Sequence, residues 1–269
     1  MRRVELGFKA FDVHELLPHA VAARLGFYGE AGVAVELADI TFRPDESLSW
    51  DTMQVSCGSA LLSRLRGVPL TIVLVAAERP LFWLHGEETL GGARVATYPP
   101  PAPPALFLRV LLRRRGLDPD RDVRLEVGRD DAARLGLLRA GEVRAALLSS
   151  ALPPDLGFPH VVAFADELQV PTTGLAVSDR LLEREPETAA AVAGALRRAL
   201  AAIHDTPAVV APIAAELFRP GAERIGRAAF TRDGTMAESV AQAAIDLIAG
   251  ELGLASVPAA SAYRFDPLL

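Results

Sequence analysis

RVELGFKAFDVHELLPHAVAARLGFYGEAGVAVEL, residues 3–37, reads as a complete β-α-β unit. Residues 3–8 alternate with the period of a strand. Asp12 followed by Glu15 is the D-x-x-E arrangement of a capping box, so a helix is predicted to open there. Leu17, Ala20, Val21 and Leu25 recur at helical spacing, and Gly26 supplies the stop before VAVEL at 33–37, a second strand.

The alternation continues outward from this unit. Strands are expected at 53–55, 70–77 (LTIVLVAA), 81–85, 94–98, 123–127, 144–148 and 160–164. Helices are expected at 59–66, 104–115, 130–140, 186–204, 207–218 and 235–252. Strands alternating with helices predict an α/β fold, with mainly parallel sheets flanked by helices.

With 269 residues and 51% hydrophobic content, the chain can bury one large core or two modest ones. Its net charge of −6 argues against a nucleic-acid or anionic-membrane partner, because either needs a basic face to neutralise phosphates. Lys9 is the only lysine, and the arginines are scattered among acids. Cys57 is the only cysteine, which excludes an intramolecular disulfide. No apolar run reaches the ~20 residues of a membrane span, and MRRVELGFKAF passes from arginines into a strand without an apolar leader. The chain as written is therefore expected to be cytoplasmic, or periplasmic or cell-surface if a leader has been removed.

Catalytic signatures are missing: G-x-S-x-G, H-E-x-x-H, a P-loop and a G-x-G-x-x-G strand-helix turn do not occur. Asp130 and Asp131 are adjacent and so point to different sides of their helix, as cap and first turn. His14 and His19, five residues apart, do not share a helix face, which disfavours a metal site. No catalytic residue, metal or cofactor is expected.

Several segments together resemble the SsuA/Thi5-like (NMT1-like) substrate-binding proteins of ABC importers. AVAARLGFYGEAGVAVEL at 20–37 is similar to that group's first helix and second strand, LRGVPLTIVLVA at 65–76 to its Gly-x-Pro approach to a strand, and LGGARVATY at 90–98 to its crossing segment. LLRRRGLDPDRDVRLEVG with LRAGEVRAALLS, and then VSDRLLEREPETAAAVAGALRRAL, resemble the second lobe and the return. The resemblance implies a two-lobed type II periplasmic-binding fold, with residues 1–92 and 174–269 in one lobe and 93–173 in the other. It also implies a ligand cleft between the lobes. The chain departs from the family's Gly-x-x-Asp pattern, with Gln54 and Arg144 in the aspartates' places, and its stretch 41–52, which includes Trp50, is short. It also lacks the lysine, histidine and cysteine cluster of the thiamine-pyrimidine synthase branch.

In such folds ligands sit beyond the carboxyl ends of strands. The expected ligand-binding residues of the first lobe are Lys9, Phe11, Ser56, Cys57, Gly58 and Ser59, with Asp12 a helix cap before a contact. Those of the second lobe are Thr97, Tyr98, Pro99, Arg129, Ser149 and Ser150, and the return segment ADELQVPTTG adds Glu167 and Thr172. Lys9 can ion-pair an acidic ligand, while small residues at 56–59 let a ligand approach a helix start. Pro99, Pro100, Pro101, Pro103 and Pro104 remove five N–H donors from the junction after 94–98. They offer a stiff apolar wall beside Tyr98, which suits an aromatic, heterocyclic or weakly polar ligand better than nitrate or a small sulfonate. The expected function is capture of a small organic molecule by hinge closure for ABC-type uptake, with an ABC permease as partner. A cytoplasmic enzyme of the same fold, menaquinone-pathway-like or decarboxylase-like, is the alternative.

Overall fold

The structure, a computed structural model, describes residues 1–41, 43–100, 102–153, 155–218, 229–257 and 259–262. Pro101 of the proline junction lies outside the described residues. The chain forms two compact units. The first holds Met1–Glu78, Val170–Asp246 and Ser256–Leu269, and the second holds Arg79–Gln169 with Leu247–Ala255.

The opening β-α-β unit is β1 (Arg2–Phe8), α1 (Val13–Arg24), the short α2 (Phe27–Glu30) and β2 (Val33–Asp39). Asp12 caps α1 by accepting from the Glu15 N–H at 2.9 Å. β3 (Met53–Gln54), α3 (Cys57–Leu65) and β4 (Leu70–Ala77) complete the outgoing half of the first unit. In the second unit come β5 (Phe82–Gly86), β6 (Arg94–Thr97), α4 (Pro103–Arg114), β7 (Arg124–Val127) and α5 (Asp131–Arg139). These are followed by β8 (Ala145–Ser149), β9 (His160–Ala163) and α6 (Phe164–Glu167). The return supplies β10 (Thr173–Ser178), α7 (Asp179–Arg184), α8 (Pro186–Asp205), α9 (Pro207–Leu217) and α10 (Glu238–Glu251).

Each unit is built on one five-stranded sheet, β2-β1-β3-β10-β4 in the first and β7-β6-β8-β5-β9 in the second. In both, the first of the parallel strands sits between the second and third, and one antiparallel strand is inserted beside the third. Each sheet is mainly parallel as expected, four of its five strands running one way with a single antiparallel strand inserted. β10 runs antiparallel to β3 and β4, and β5 to β8 and β9. β5 follows β4 too closely for a crossover helix, and a strand without such a crossover cannot join in parallel. β5 pairs antiparallel with β8 and β9 of the second sheet, and the chain leaves the first unit between Glu78 and Arg79 rather than at 92/93. It returns between Gln169 and Val170.

The first core gathers Leu6, Leu17, Val21, Met53, Val192 and Leu196, where α1 and α8 cover the sheet. In the second unit, α5 packs Leu135 and Leu138 against Ala96, Ala146 and Leu148. Glu251 on α10 belongs to the second unit, where it accepts from Arg109 Nε at 2.7 Å and Arg113 Nε at 2.8 Å.

Candidate ligand-binding rims

In the first unit, the carboxyl ends of β1, β3 and β4 lie at one edge with the start of β10, since Thr173 pairs with Ala77. The loop after β1 is organised by Glu15. Its Oε2 accepts from the backbone N–H groups of Lys9 (2.7 Å) and Ala10 (2.9 Å), and the Ser56 hydroxyl also bonds the carboxylate. Glu15 therefore reaches past Asp12 instead of closing the expected capping box. Burial pushes its carboxyl above the ordinary value, against the lowering effect of those three hydrogen bonds and of the Lys9 charge. Ser56 stands at the N-cap of α3 and gives its side chain to Glu15 instead of to the helix.

Lys9 does not wait for a ligand acid. Its Nζ lies 2.7 Å from Asp45 Oδ1 and donates to the Arg43 carbonyl at 3.1 Å. Asp45, with only 1% of its side chain exposed, needs that countercharge more than a solvated ligand would. Cys57 is likewise corrected from rim to core: it is fully buried, its thiol donates to the Leu74 carbonyl at 3.5 Å, and burial pushes that thiol up. The Gly58 N–H donates to the Thr172 carbonyl at 3.2 Å, so it is already used, and Ser59 is half-buried on the first turn of α3.

Thr172 is a joint between elements. Its hydroxyl donates to the Ala77 carbonyl at 3.0 Å and lies 2.9 Å from His14 Nε2. With its one proton committed, Thr172 accepts from His14, which fixes the imidazole proton on Nε2. The second histidine of α1 has different partners: His19 Nδ1 lies 2.8 Å from the Tyr28 hydroxyl, and Gly174 supplies a backbone hydrogen bond. Burial lowers His19 to about 3 and raises Tyr28, so both are neutral across the physiological range. Phe11 remains on the surface at 63% exposure, in contact with Phe8 (centroids 6.3 Å) and Phe218 (6.0 Å).

In the second unit, Thr97, Gly128 and Ser149 share one sheet edge, set by the parallel pairing of β6 with β7 and β8. The proline junction follows β6. Its remaining N–H groups are spent locally, Ala102 donating to the Pro99 carbonyl and Ala105 to the Ala102 carbonyl, both at 3.0 Å. Pro103 and Pro104 fill the first turn of α4. Tyr98 and Pro99 are half-buried. Tyr98 packs edge-on against Phe82 with centroids 5.7 Å apart, and its hydroxyl donates to Asp131 at 3.3 Å. The Thr97 hydroxyl is buried and has no partner among the described residues.

Sequence reading missed the centre of this rim, Arg134. Its guanidinium lies 3.5 Å from the centre of the Tyr98 ring and is 1% exposed. Nε donates to the Leu147 carbonyl (2.8 Å), Nη1 to the Gly128 carbonyl (2.7 Å) and Nη2 to Asp131 Oδ1. The other Asp131 oxygen accepts from the Ser149 hydroxyl. Gly128 makes room, because a Cβ there would meet Arg134 Cγ at 2.4 Å. Asp130 is the cap of α5, accepting from Ala133 N–H at 2.8 Å, while Asp131 turns inward. Ser150 is buried beside Ser149, and its N–H donates to the Leu81 carbonyl at 3.1 Å. Arg129 is exposed on the loop before α5. Glu167 is corrected to a flank position, with its carboxylate 3.6 Å from Arg115.

No family model and no curated protein matches the sequence. Solved structures do match over almost the whole chain. The alkanesulfonate-binding protein SsuA from Xanthomonas axonopodis pv. citri, bound to MOPS, aligns at a TM-score of 0.74 and 16% identity over 99% of each chain. A Candida albicans protein with the generic periplasmic binding protein fold aligns at 0.77 and 10% identity, over 100% of this chain and 98% of that one. The desulfurization enzyme DSZB aligns at 0.68 and 15% identity, over 98% and 97%. The resemblance read from the sequence therefore extends to three dimensions, and the chain has the periplasmic binding protein fold.

Proposed function

We propose that the protein is a solute-binding protein that captures a small, weakly polar organic molecule for an ABC-type importer, with ligand-linked closure as its mechanism. The fold likeness to ligand-binding components of import systems supports the class. One observation carries the ligand preference: the strand-end edge of the second unit is furnished with an internal anion, Asp131, whose partner Arg134 is 1% exposed and already gives an N–H from each of its three nitrogens to Leu147, Gly128 and Asp131. An added sulfonate would face a carboxylate across a junction whose N–H donors are prolines or already engaged. Tyr98, Phe82 and the buried Thr97 hydroxyl offer aromatic surface with one polar contact, the composition of a site for a flat or apolar ligand. No single helix among the described residues is long and apolar enough to cross a membrane. Delivery to a permease places the protein outside the cytoplasm, and this is part of the same proposal.

Thermal shift with a panel of neutral aromatic compounds set against MOPS and short alkanesulfonates tests the reading. A ligand at 100 times its Kd stabilises by ~2.7 kcal/mol. At least one neutral compound should raise Tm and contract the particle in small-angle scattering. Stabilisation by the sulfonates alone would overturn the ligand class, and no response to any compound would overturn the solute-binding role.

A further inference from the structure

The second unit gives one carboxylate more hydrogen bonds than helix capping requires. α5 already has its cap in Asp130, which accepts from the Ala133 N–H at 2.8 Å. Asp131, the next residue, turns inward and collects four donors. Arg134 Nη2, the Ser149 N–H at 3.2 Å and the Tyr98 hydroxyl at 3.3 Å converge on its Oδ1, and the Ser149 hydroxyl reaches its Oδ2. An ionised carboxylate accepts about four hydrogen bonds, so this one is filled from within.

The rest of the unit positions those donors. Tyr98 follows β6 and packs on Phe82, and Ser149 ends β8 within the sheet. Arg134 is 1% exposed, anchored on the carbonyls of Leu147 and Gly128 and covered by the Tyr98 ring. The Asp131 side chain, by contrast, is 15% exposed, so the place it fills opens to solvent. A buried guanidinium, a strand-end N–H and two hydroxyls around one solvent-reachable point are the groups that hold a free oxyanion by charge-assisted hydrogen bonds. Tethering presents Asp131 there at an effective concentration that a dissolved anion does not match.

We propose that Asp131 is the built-in occupant of an oxyanion subsite and that this one side chain sets the ligand class of the second unit's edge, an assignment that rests on the solute-binding reading of that edge. With Asp131 in place, the edge takes neutral ligands. Without it, the same four donors take a small carboxylate or sulfonate, even though the proline junction is unchanged.

Asp131→Ala keeps the donors and vacates their focus. Formate, acetate and methanesulfonate, compared with chloride at equal ionic strength, should raise the Tm of Asp131→Ala and leave that of the wild type unmoved. By calorimetry at least one of the three should bind the variant at least about tenfold more tightly than it binds the wild type. Adding Ser149→Ala should weaken that anion at least about threefold, and an unchanged affinity would place it elsewhere and overturn the subsite. If Asp131→Ala does not fold in chloride, its refolded yield is compared in formate and in chloride: recovery in formate supports the subsite, and equal failure overturns it. An anion response of Asp131→Ala no larger than that of the wild type also overturns it, and leaves the solute-binding role untouched. A variant that binds formate, beside a wild type that answers no neutral compound, keeps the subsite and sinks that role alone.

Discussion

Each unit fixes a carboxylate beside the ends of its parallel strands, Glu15 buried and Asp131 half-buried, and the two are held by different chemistry. Glu15 is held chiefly by dipoles: two backbone N–H groups and the Ser56 hydroxyl. Asp131 is held by a full charge, the guanidinium of Arg134, with the Ser149 hydroxyl on its other oxygen. A carboxylate fastened by dipoles ties down the loop that supplies them, here Lys9 and Ala10. One fastened by a buried cation ties strand to helix, because Arg134 also reaches the carbonyls of Gly128 and Leu147. The first arrangement positions a loop, and the second fills space a ligand anion would need.

Among substitutions, the comparison is broken most severely at Arg134. Arg134→Met removes the countercharge of Asp131, which keeps its Ser149 and Tyr98 donors, and should cost about 3 kcal/mol, the low end of the penalty for removing one partner of a buried pair. The chain has two tryptophans, Trp50 in the first unit and Trp83 in the second, so urea unfolding followed at Trp83 in a Trp50→Phe background reads the second unit. Adding Asp131→Asn should recover much of the loss, and failure to recover would show that the guanidinium acts by packing rather than by charge.

Acid sharpens the contrast from the side of the first unit. His19 titrates at about 3 in the folded chain and near 6.5 unfolded, so the unfolded state binds the extra proton between those values. Its contribution is complete above pH 6.5 and is lost as pH falls toward 3, by roughly 5 kcal/mol in all. Unfolding followed at Trp50 from pH 7 to 4 should show this slope. His19→Leu should flatten it even while lowering stability at neutral pH.

A smaller effect is expected at the joint. Thr172→Val removes the hydroxyl that serves Ala77 and His14 and leaves the His14 Nε2 proton stranded, at a cost of about 1–3 kcal/mol read by the same urea titration. Smallest is Glu15→Gln, which keeps an acceptor for both backbone N–H groups and discards the buried charge. Because the folded carboxyl is raised, the folded state holds its proton longer than the unfolded state, and ionisation subtracts stability as pH rises. The glutamine variant should therefore gain on the wild type from pH 4 to pH 8, and a gain in the opposite direction would mean that the dipoles outweigh burial.

Much of the fold was readable because its signals are local. Asp12 and Asp130 cap the helices they precede, 70–77 is a strand at its expected bounds, and α8 starts at Pro186 as read. The rims were readable as places and less so as contacts. Lys9, Cys57, Gly58 and Thr172 lie beside the expected strand ends, yet their polar groups are engaged by Asp45, Leu74, Thr172 and His14, partners 17 or more residues distant that no local pattern names. Nothing in the local sequence around Arg134 marks it for burial. Only the missing side chain of Gly128 and the convergence of Asp131 and Leu147 make room for it inside.

By itself the sequence determined the order of strands and helices, their caps, and the loss of donors at the proline junction, because period, cap chemistry and a missing N–H act within a few residues. The tertiary structure alone decided which sheet β5 joins, that β5 and β10 run antiparallel, and which charges are already neutralised from within. Those outcomes depend on pairing and burial between distant segments, where the cost of stranding a charge or an amide selects the partner.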